Sequence, residues 1–401
     1  MFYLLKLGEL CLKGGNRRQF ERVLQANLAA MLRGTKAVLN STDGRFYVTC
    51  EDEAAARVED ILNHLAGITG WARANKCEKT ESAMLEAVKN EARFCFEKGA
   101  RSFKIEARRS DKGFPLSSYE ICRIAGEAVT ADLPDFKVDV HNPPVVINVE
   151  IREKCFVYGY THKGIRGLPP GTAGRGLLLL SGGIDSPVAG FLMALRGMHI
   201  DAVYFHAYPY TSHEARAKVV SLAGIIGRYS MGISLYTINF TAVQMRIKEA
   251  APEPWSTVLL RMAMMEAASI LARARHCKCL ITGESLSQVA SQTIENIACT
   301  SGKAFCTVLR PLIGMDKEDI TKIATGIGTY ETSILPYPDC CVLFSPEHPV
   351  LRGKVPEAND LYDNLNLTPL IDKAIREKTV EKCGFHTGGL PRNGLPSDGV
   401  L

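Results

Sequence analysis

Ser181-Gly182-Gly183-Ile184-Asp185-Ser186 concentrates groups that can hold phosphate. Two glycines let the backbone turn tightly and aim successive N–H groups into one concavity. Ser181 and Ser186 add hydroxyls, and the helix expected to follow adds the positive end of its dipole. The hexapeptide is neither a G-x-x-x-x-G-K-[ST] loop nor a G-x-G-x-x-G fingerprint, so the cradle is of another kind. Asp185 would repel phosphate unless a cation is shared, which makes it a Mg²⁺ partner, direct or through water. It can also cap the helix, and the two roles are compatible.

Two further stretches bear on chemistry. Gly283-Glu284-Ser285-Leu286-Ser287-Gln288-Val289-Ala290-Ser291-Gln292-Thr293 follows a strand-like run, at the end where open parallel sheets bind ligands. It offers polar groups suited to a nucleoside, although a plain polar loop has the same composition. Pro336-Tyr337-Pro338-Asp339-Cys340-Cys341-Val342-Leu343-Phe344 holds adjacent cysteines, which cannot both face one core from a strand. The Ser181 to Ser186 loop resembles the pyrophosphate loop of ATP-dependent adenylating enzymes, and an exposed thiol in an ATP-using protein suggests sulfur chemistry; two structural cysteines is the other reading.

The elements that must position these groups fall into three units. In the first, apolar Phe2 to Leu7, a helix capped by Asn16, a hairpin around Thr42-Asp43-Gly44, a helix over 53–65 and a strand over 68–77 follow the ferredoxin-like order β-α-β-β-α-β. In the second, helices over 81–97 and after Ser117 or Ser118 alternate with strands at 103–107, 138–140, 145–151 and 155–160. A Gly/Pro-rich linker from Gly164 to Gly176 precedes the third. There strands at 177–180, 202–205, 233–238 and 279–282 alternate with helices at 185–196, 214–226 and 257–274, which predicts a doubly wound parallel sheet. The expected domains are 1–75, 76–167 and 168–383, with 384–401 a flexible tail rich in Gly and Pro.

Composition sets the outer bounds. A chain of 401 residues, 46% hydrophobic and 23% charged, is ordinary for a soluble globular protein of about three domains, which excludes wholesale disorder and fibrous repeats. No run of about 18 apolar residues predicts a membrane span, and the N-terminus reads as a strand rather than a signal peptide. Thirteen scattered cysteines suggest reduced thiols and a cytoplasmic location. The net charge of +5 permits an acidic partner without demanding one. Arg101, Lys104, Arg108, Arg109 and Lys112 crowd one strand and its loop; Lys154, His162, Lys163, Arg166 and Arg175 follow later. These cations can track phosphates of an RNA, or form a solvated charged face.

The motifs together resemble the ThiI family of tRNA 4-thiouridine synthetases over about residues 2 to 375. Leu177 to Ala189 resembles that family's pyrophosphate loop, as do Gly283 to Thr293, Arg310-Pro311-Leu312, and Tyr330-Glu331-Thr332-Ser333 followed by Asp339-Cys340-Cys341. Gly8-Glu9, Leu12-Lys13-Gly14 and Asn16-Arg17 match at the N-terminus, and Arg108 to Pro115 with Gly167-Leu168-Pro169 resembles a THUMP RNA-binding domain. The resemblance implies adenylation of uridine O4 at tRNA position 8 by ATP, then attack on C4 by persulfide sulfur from a cysteine desulfurase. It implies an adenylate site at Leu179, Leu180, Ser181, Gly182, Gly183, Asp185, Ser186, Tyr204, Phe205, Arg261, Gly283 and Gln292. Asp185 is then the activating residue, Cys340 the sulfur-handling thiol and the chain a homodimer. Expected RNA contacts are Arg101, Lys104, Arg108, Arg109, Lys112, Lys163 and Arg166.

Two departures from the family stand out. Some members carry a C-terminal rhodanese domain; this chain ends at Leu401, so a second thiol is sought at Cys341 or Cys383, and a link to thiazole formation is not expected. No C-x-x-C pair occurs, and Cys277-x-Cys279 has the wrong spacing, so no iron–sulfur cluster is expected. The competing functions are an ATP pyrophosphatase acting on a small metabolite and a non-catalytic RNA-binding protein.

Overall fold

The chain begins with β1 (Phe2–Leu7), α1 (Arg17–Met31), β2 (Val38–Thr42), β3 (Arg45–Thr49), α2 (Ala55–His64) and β4 (Ile68–Arg73). The four strands form an antiparallel sheet in the order β4-β1-β3-β2, the ferredoxin-like arrangement. The computed structural model describes residues 1–12, 14–42, 44–337 and 346–385. Asn16 stands at the N-cap of α1 in a helical conformation, and its side chain makes no capping bond, contrary to expectation.

The strand expected over 68–77 is broken. β4 ends at Arg73, and after Ala74 the chain continues as β5 (Asn75–Cys77) in a different sheet. That sheet takes β6 (Ser102–Arg109), β7 (Lys137–Val138), β8 (Val145–Ile151) and β9 (Cys155–Tyr158) in the order β5-β9-β8-β6-β7. Helices α3 (Glu81–Glu97) and α4 (Ser118–Asp132) pack against it through Met84, Val88, Ile121, Ala125 and Val129, all buried. Ser117 is the cap of α4: its hydroxyl accepts from Glu120 N–H while the Glu120 carboxylate accepts from Ser117 N–H. Such a reciprocal pair satisfies two donors that the helix itself cannot, and an N-cap of this kind contributes about 1 kcal/mol. The first two sheets meet through Leu4, Tyr47, Ala72, Phe156 and Tyr158, with the Tyr47 and Phe156 rings stacked at 5.2 Å. β10 (His162–Lys163) then returns to the edge of β4.

These elements make one compact unit, Met1–Glu21 with Leu28–Arg166; Arg22–Asn27 and the described residues from Gly167 on make a second. The second unit is built on β11 (Arg175–Leu179), α5 (Asp185–Leu195), β12 (His199–His206), α6 (His213–Gly227), β13 (Ile233–Asn239), α7 (Thr241–Ala250) and α8 (Ser256–Ala274). It continues with β14 (Cys279–Ile281), α9 (Ile294–Ser301), β15 (Thr307–Leu309), α10 (Lys317–Gly326), α11 (Tyr330–Ser333), α12 (Val355–Asn364), α13 (Thr368–Arg376) and β16 (Thr379–Cys383). The sheet order is β15-β14-β11-β12-β13-β16. β11 to β15 are parallel, as the repeated strand–helix pattern predicts; β16 runs antiparallel to β13 at the edge and departs from the all-parallel expectation. Its polar sequence Thr-Val-Glu-Lys-Cys lacks the apolar run of a strand covered on both faces. The stretch Glu253–Ala274 is apolar and long enough to cross a membrane by composition, yet it is mostly buried as the central helix of this unit.

Candidate active site and basic pocket

β11 is the switch point of the parallel sheet. From it the chain winds outward through β12 and β13, then crosses to β14 and β15 on the other side. A doubly wound sheet leaves a crevice at the carboxyl ends of its strands there. A cavity of about 550 Å³ occupies that crevice. All the residues expected at an adenylate site line it except Gly182, which is buried within the loop.

The loop after β11 is closed by its own serines. Ser181 N–H donates to Ser186 Oγ at 2.9 Å, the two hydroxyl oxygens lie 3.0 Å apart, and Gly183 N–H reaches Ser181 Oγ at 3.3 Å. Gly283 is required by close approach: a Cβ there would lie 2.6 Å from the Ser186 nitrogen and 2.8 Å from its Cα. Only a glycine lets the end of β14 pass the start of α5, so its place in the motif has a packing cause.

Asp185 does not cap α5. It is the first helical residue; Ile184 occupies the cap position without a side-chain bond. The carboxylate is instead shared between Lys317 Nζ at 2.6 Å and Gln288 Nε2 at 2.9 Å. Lys317 opens α10 and was not among the residues expected here; nothing near it in sequence marks it. Gln288 follows Ser287, a non-glycine residue with φ of 61°, and this left-handed turn delivers its amide to Asp185. The remaining oxygen of Gln288 and the amide oxygen of Gln292 are buried acceptors without a partner among the described residues. Unpaired acceptors in a concave site are groups that a ligand's amino or hydroxyl hydrogens can satisfy.

The opposite wall holds Arg261 of α8. Its guanidinium donates to Ser291 Oγ at 3.0 Å and pairs with the Glu284 carboxylate, which also accepts from Arg310 Nε at 2.7 Å and Thr282 Oγ1 at 2.9 Å. Burial pushes the Glu284 carboxyl up, but the two guanidinium groups outweigh it and hold the group ionised, below its ordinary value. Met264, Met265 and the buried rings of Tyr204 and Phe205 complete an apolar side that a base could occupy.

Cys340 and Cys341 lie outside the described residues. The chain leading toward them is anchored at the loop: Ser333 Oγ donates to Gly183 O at 3.3 Å, and Lys218 Nζ donates to Leu335 O at 2.9 Å. Cys383 is buried in β16, and burial pushes its thiol up to about 11, which suits a structural thiol rather than a sulfur carrier.

In the first unit the expected RNA contacts do not form one face. Arg108 and Arg109 project to opposite faces of β6, because side chains alternate along a strand. Arg109 turns inward and donates to the carbonyls of Phe114 and Leu116. Arg101 donates to Phe96 O and Ala100 O and lies over the Phe96 ring, while Lys104 pairs with Glu106. Lys112 is exposed in the following loop. Lys163 and Arg166 belong to the edge of the ferredoxin-like sheet, where β10 pairs with β4 and the His162 ring stacks on Trp71 at 4.0 Å.

Arg108 instead opens on a second cavity, of about 420 Å³, lined also by Lys6, Arg17, Arg45 and Arg152. These cations come from β1, α1, β3, β6 and the β8–β9 turn. One carboxylate, Glu150, sits among them and accepts from Arg45 at 3.2 Å, Arg152 at 3.2 Å and Tyr158 Oη at 2.8 Å. Arg17 is paired with Glu21 at 2.7 Å, so five cations against Glu150 and Glu21 leave an excess of three positive charges, a fit for phosphate.

Comparison with known proteins matches each part of this arrangement. Residues 2–72 match the ThiI ferredoxin-like domain, 78–159 the THUMP domain, and 171–367 the family described as thiamine biosynthesis protein (ThiI). A probable tRNA sulfurtransferase of Treponema pallidum (strain Nichols) is 51% identical over 379 residues, 94% of each chain. One from Caldanaerobacter subterraneus subsp. tengcongensis is 43% identical over 383 residues, covering 94% of this chain and 98% of the relative. The crystal structure of a 4-thiouridine synthetase–RNA complex with bound ATP superposes with a TM-score of 0.89 at 32% identity, over 95% of this chain and 99% of that one. The chain therefore belongs to the ThiI family of tRNA sulfurtransferases.

Proposed function

We propose that the chain is an ATP-dependent tRNA sulfurtransferase that makes 4-thiouridine at position 8. The observation that carries this is the cavity at the β11 switch point. It joins a phosphate-binding loop to an apolar wall and to two unpaired amide acceptors, a set that fits ATP. ATP transfers its adenylyl group to uridine O4 and releases pyrophosphate. The outer sulfur of a Cys340 persulfide then attacks C4, and AMP leaves with the former carbonyl oxygen, which departs poorly until it is phosphorylated. A second thiol then attacks the Cys340 sulfur, the S–S bond breaks to release 4-thiouridine, and the resulting disulfide is reopened by an external dithiol reductant. Arg261, the Ser181 and Ser186 hydroxyls and the positive end of α5 hold the phosphates, and Gln288 with Lys317 orients Asp185. A carboxylate oxygen beside a phosphate cradle is a suitable donor for Mg²⁺, which takes one or two carboxylates plus phosphate oxygens. Asp185 would hold that ion, and the ion would neutralise phosphate charge.

Cys340 is the proposed sulfur carrier, loaded by a cysteine desulfurase, and the resemblance to the family supports a homodimer. The basic pocket around Arg108 receives RNA phosphates, with Lys112, Lys163 and Arg166 as outlying contacts. Mass spectrometry of tRNA nucleosides from cells lacking the gene tests the reaction. Loss of 4-thiouridine and its return with the wild-type gene are expected; unchanged 4-thiouridine would refute the assignment. Cys340→Ser should release pyrophosphate from ATP in the presence of tRNA yet form no 4-thiouridine, and normal thiolation by that variant would move the sulfur route elsewhere.

A further inference from the structure

Glu284 carries two guanidinium groups on one carboxylate, and only one of them reaches the nucleotide cavity. Arg261 lines the cavity; Arg310 stands behind, just past the end of β15, with its Nη2 donating to Ser301 Oγ of α9 at 2.8 Å. The contacts therefore run in series from Ser301 through Arg310 and Glu284 to Arg261. The Glu284 side chain is 4% exposed, so its charge is poorly screened and its effect on a neighbouring ligand is large. Two cations against one anion leave a surplus positive charge. Without Arg310, Glu284, which itself lines the cavity, would cancel the charge of Arg261 and leave no surplus positive charge for an incoming polyphosphate.

We propose that Arg310 is a positioning residue that acts through Glu284 on Arg261, keeping the Arg261 guanidinium fixed and net positive for the anionic part of the nucleotide. This rests on the reading of the cavity as an ATP site. Among the described residues Arg310 neither lines the cavity nor bonds to the phosphate loop, so its effect on ATP passes through its partners Glu284 and Ser301.

A double-mutant cycle on ATP affinity, measured by calorimetry, isolates the relay. Arg310→Met should weaken ATP binding about tenfold in the wild-type background, within the range by which contacting residues couple. In an Arg261→Met background it should change ATP affinity little, because the group it serves is gone. Adenosine, which lacks phosphate, should bind both Arg310 forms equally. Arg310→Lys restores the charge without the fork, and should recover most of the affinity. Equal losses in the two backgrounds, or no loss in either, would overturn the relay. Should Arg310→Met be too unstable to purify, the cycle run with Arg310→Lys decides in the same way, with a smaller loss expected only where Arg261 is present. If the wild-type chain itself fails to bind ATP, the nucleotide reading fails, a result distinct from additivity in a chain that binds it.

Discussion

The cavity at the β11 switch point, proposed as the ATP site, and the basic pocket both surround one buried carboxylate with guanidinium groups, yet they are assembled in opposite ways. In the cavity, Glu284 follows the end of β14 and Asp185 opens α5, and most of the lining comes from two short contiguous motifs. In the pocket, Glu150 is ringed by cations from five separate segments between Lys6 and Arg152. The first site pairs each carboxylate closely and presents a glycine-rich turn at the start of α5. The second leaves an excess of side-chain charge. A site for one small polyanion can be built from backbone geometry, whereas a surface for a long polyanion needs charge spread over many residues.

This contrast is sharpest at Asp185. Asp185→Ala should keep the fold, since the residue makes no cap, and should lose at least about a hundredfold in tRNA-dependent pyrophosphate release, the scale expected for one electrostatic group at a reacting phosphate. RNA binding by gel shift should persist. Normal pyrophosphate release would remove Asp185 from the chemistry. Lys317→Met comes next: it leaves the carboxylate one partner short and should cost about ten- to thirtyfold in the same assay, since a charge-assisted bond contributes roughly 1.5–3 kcal/mol and Gln288 still holds the carboxylate. An unchanged rate would mean that Gln288 alone orients Asp185.

How much of this was legible in the sequence follows from the same contrast. The phosphate loop, β11 and α5 were readable because their signals are contiguous: an apolar run, two glycines and a helical pattern within about twenty residues. Lys317 was not, because it reaches Asp185 from 132 residues away and sits in a plain helical start. The break at Ala74 was hidden because β4 and β5 both keep an extended conformation, and only their partners differ. The helices from α9 onward and the antiparallel β16 escaped notice because they are short and mostly polar. Arg108 and Arg109 looked equivalent as neighbours in a charge run, yet strand alternation gives one to the basic pocket and the other to the loop carbonyls.

That alternation gives the third prediction. Arg108→Ala with Arg152→Ala should weaken tRNA binding and reduce the slope of log affinity against log salt by roughly one per lost phosphate contact. Arg109→Ala should instead lower the melting temperature of the first unit, because two buried-side carbonyls lose their donor, and should leave the salt slope in place. If the two variants exchange phenotypes, the basic pocket is not the RNA site.

The smallest expected effect compares the two carboxylates directly. Both Glu284 and Glu150 are held below their ordinary value: burial opposes ionisation in each, and the facing guanidinium groups outweigh it. For a carboxyl depressed in the folded state, the unfolded chain takes up protons first as pH falls. The stability each group contributes is therefore complete above the unfolded value of about 4.3 and drains away as pH falls through the folded value. Glu284→Gln and Glu150→Gln should each be less stable than the wild type at neutral pH, since two arginines lose their counter-charge. The gap should narrow as the solution is acidified below about pH 4, where the wild-type carboxyl protonates too. Hydrogen exchange followed separately over the first and second units distinguishes the two sites. Glu284→Gln should loosen the strand ends around the cavity, and Glu150→Gln the β8–β9 hairpin. Parallel stability curves for variant and wild type down to pH 3 would show that the guanidinium groups do not stabilise the ionised carboxylate, and the electrostatic kinship of the two sites would fall with it.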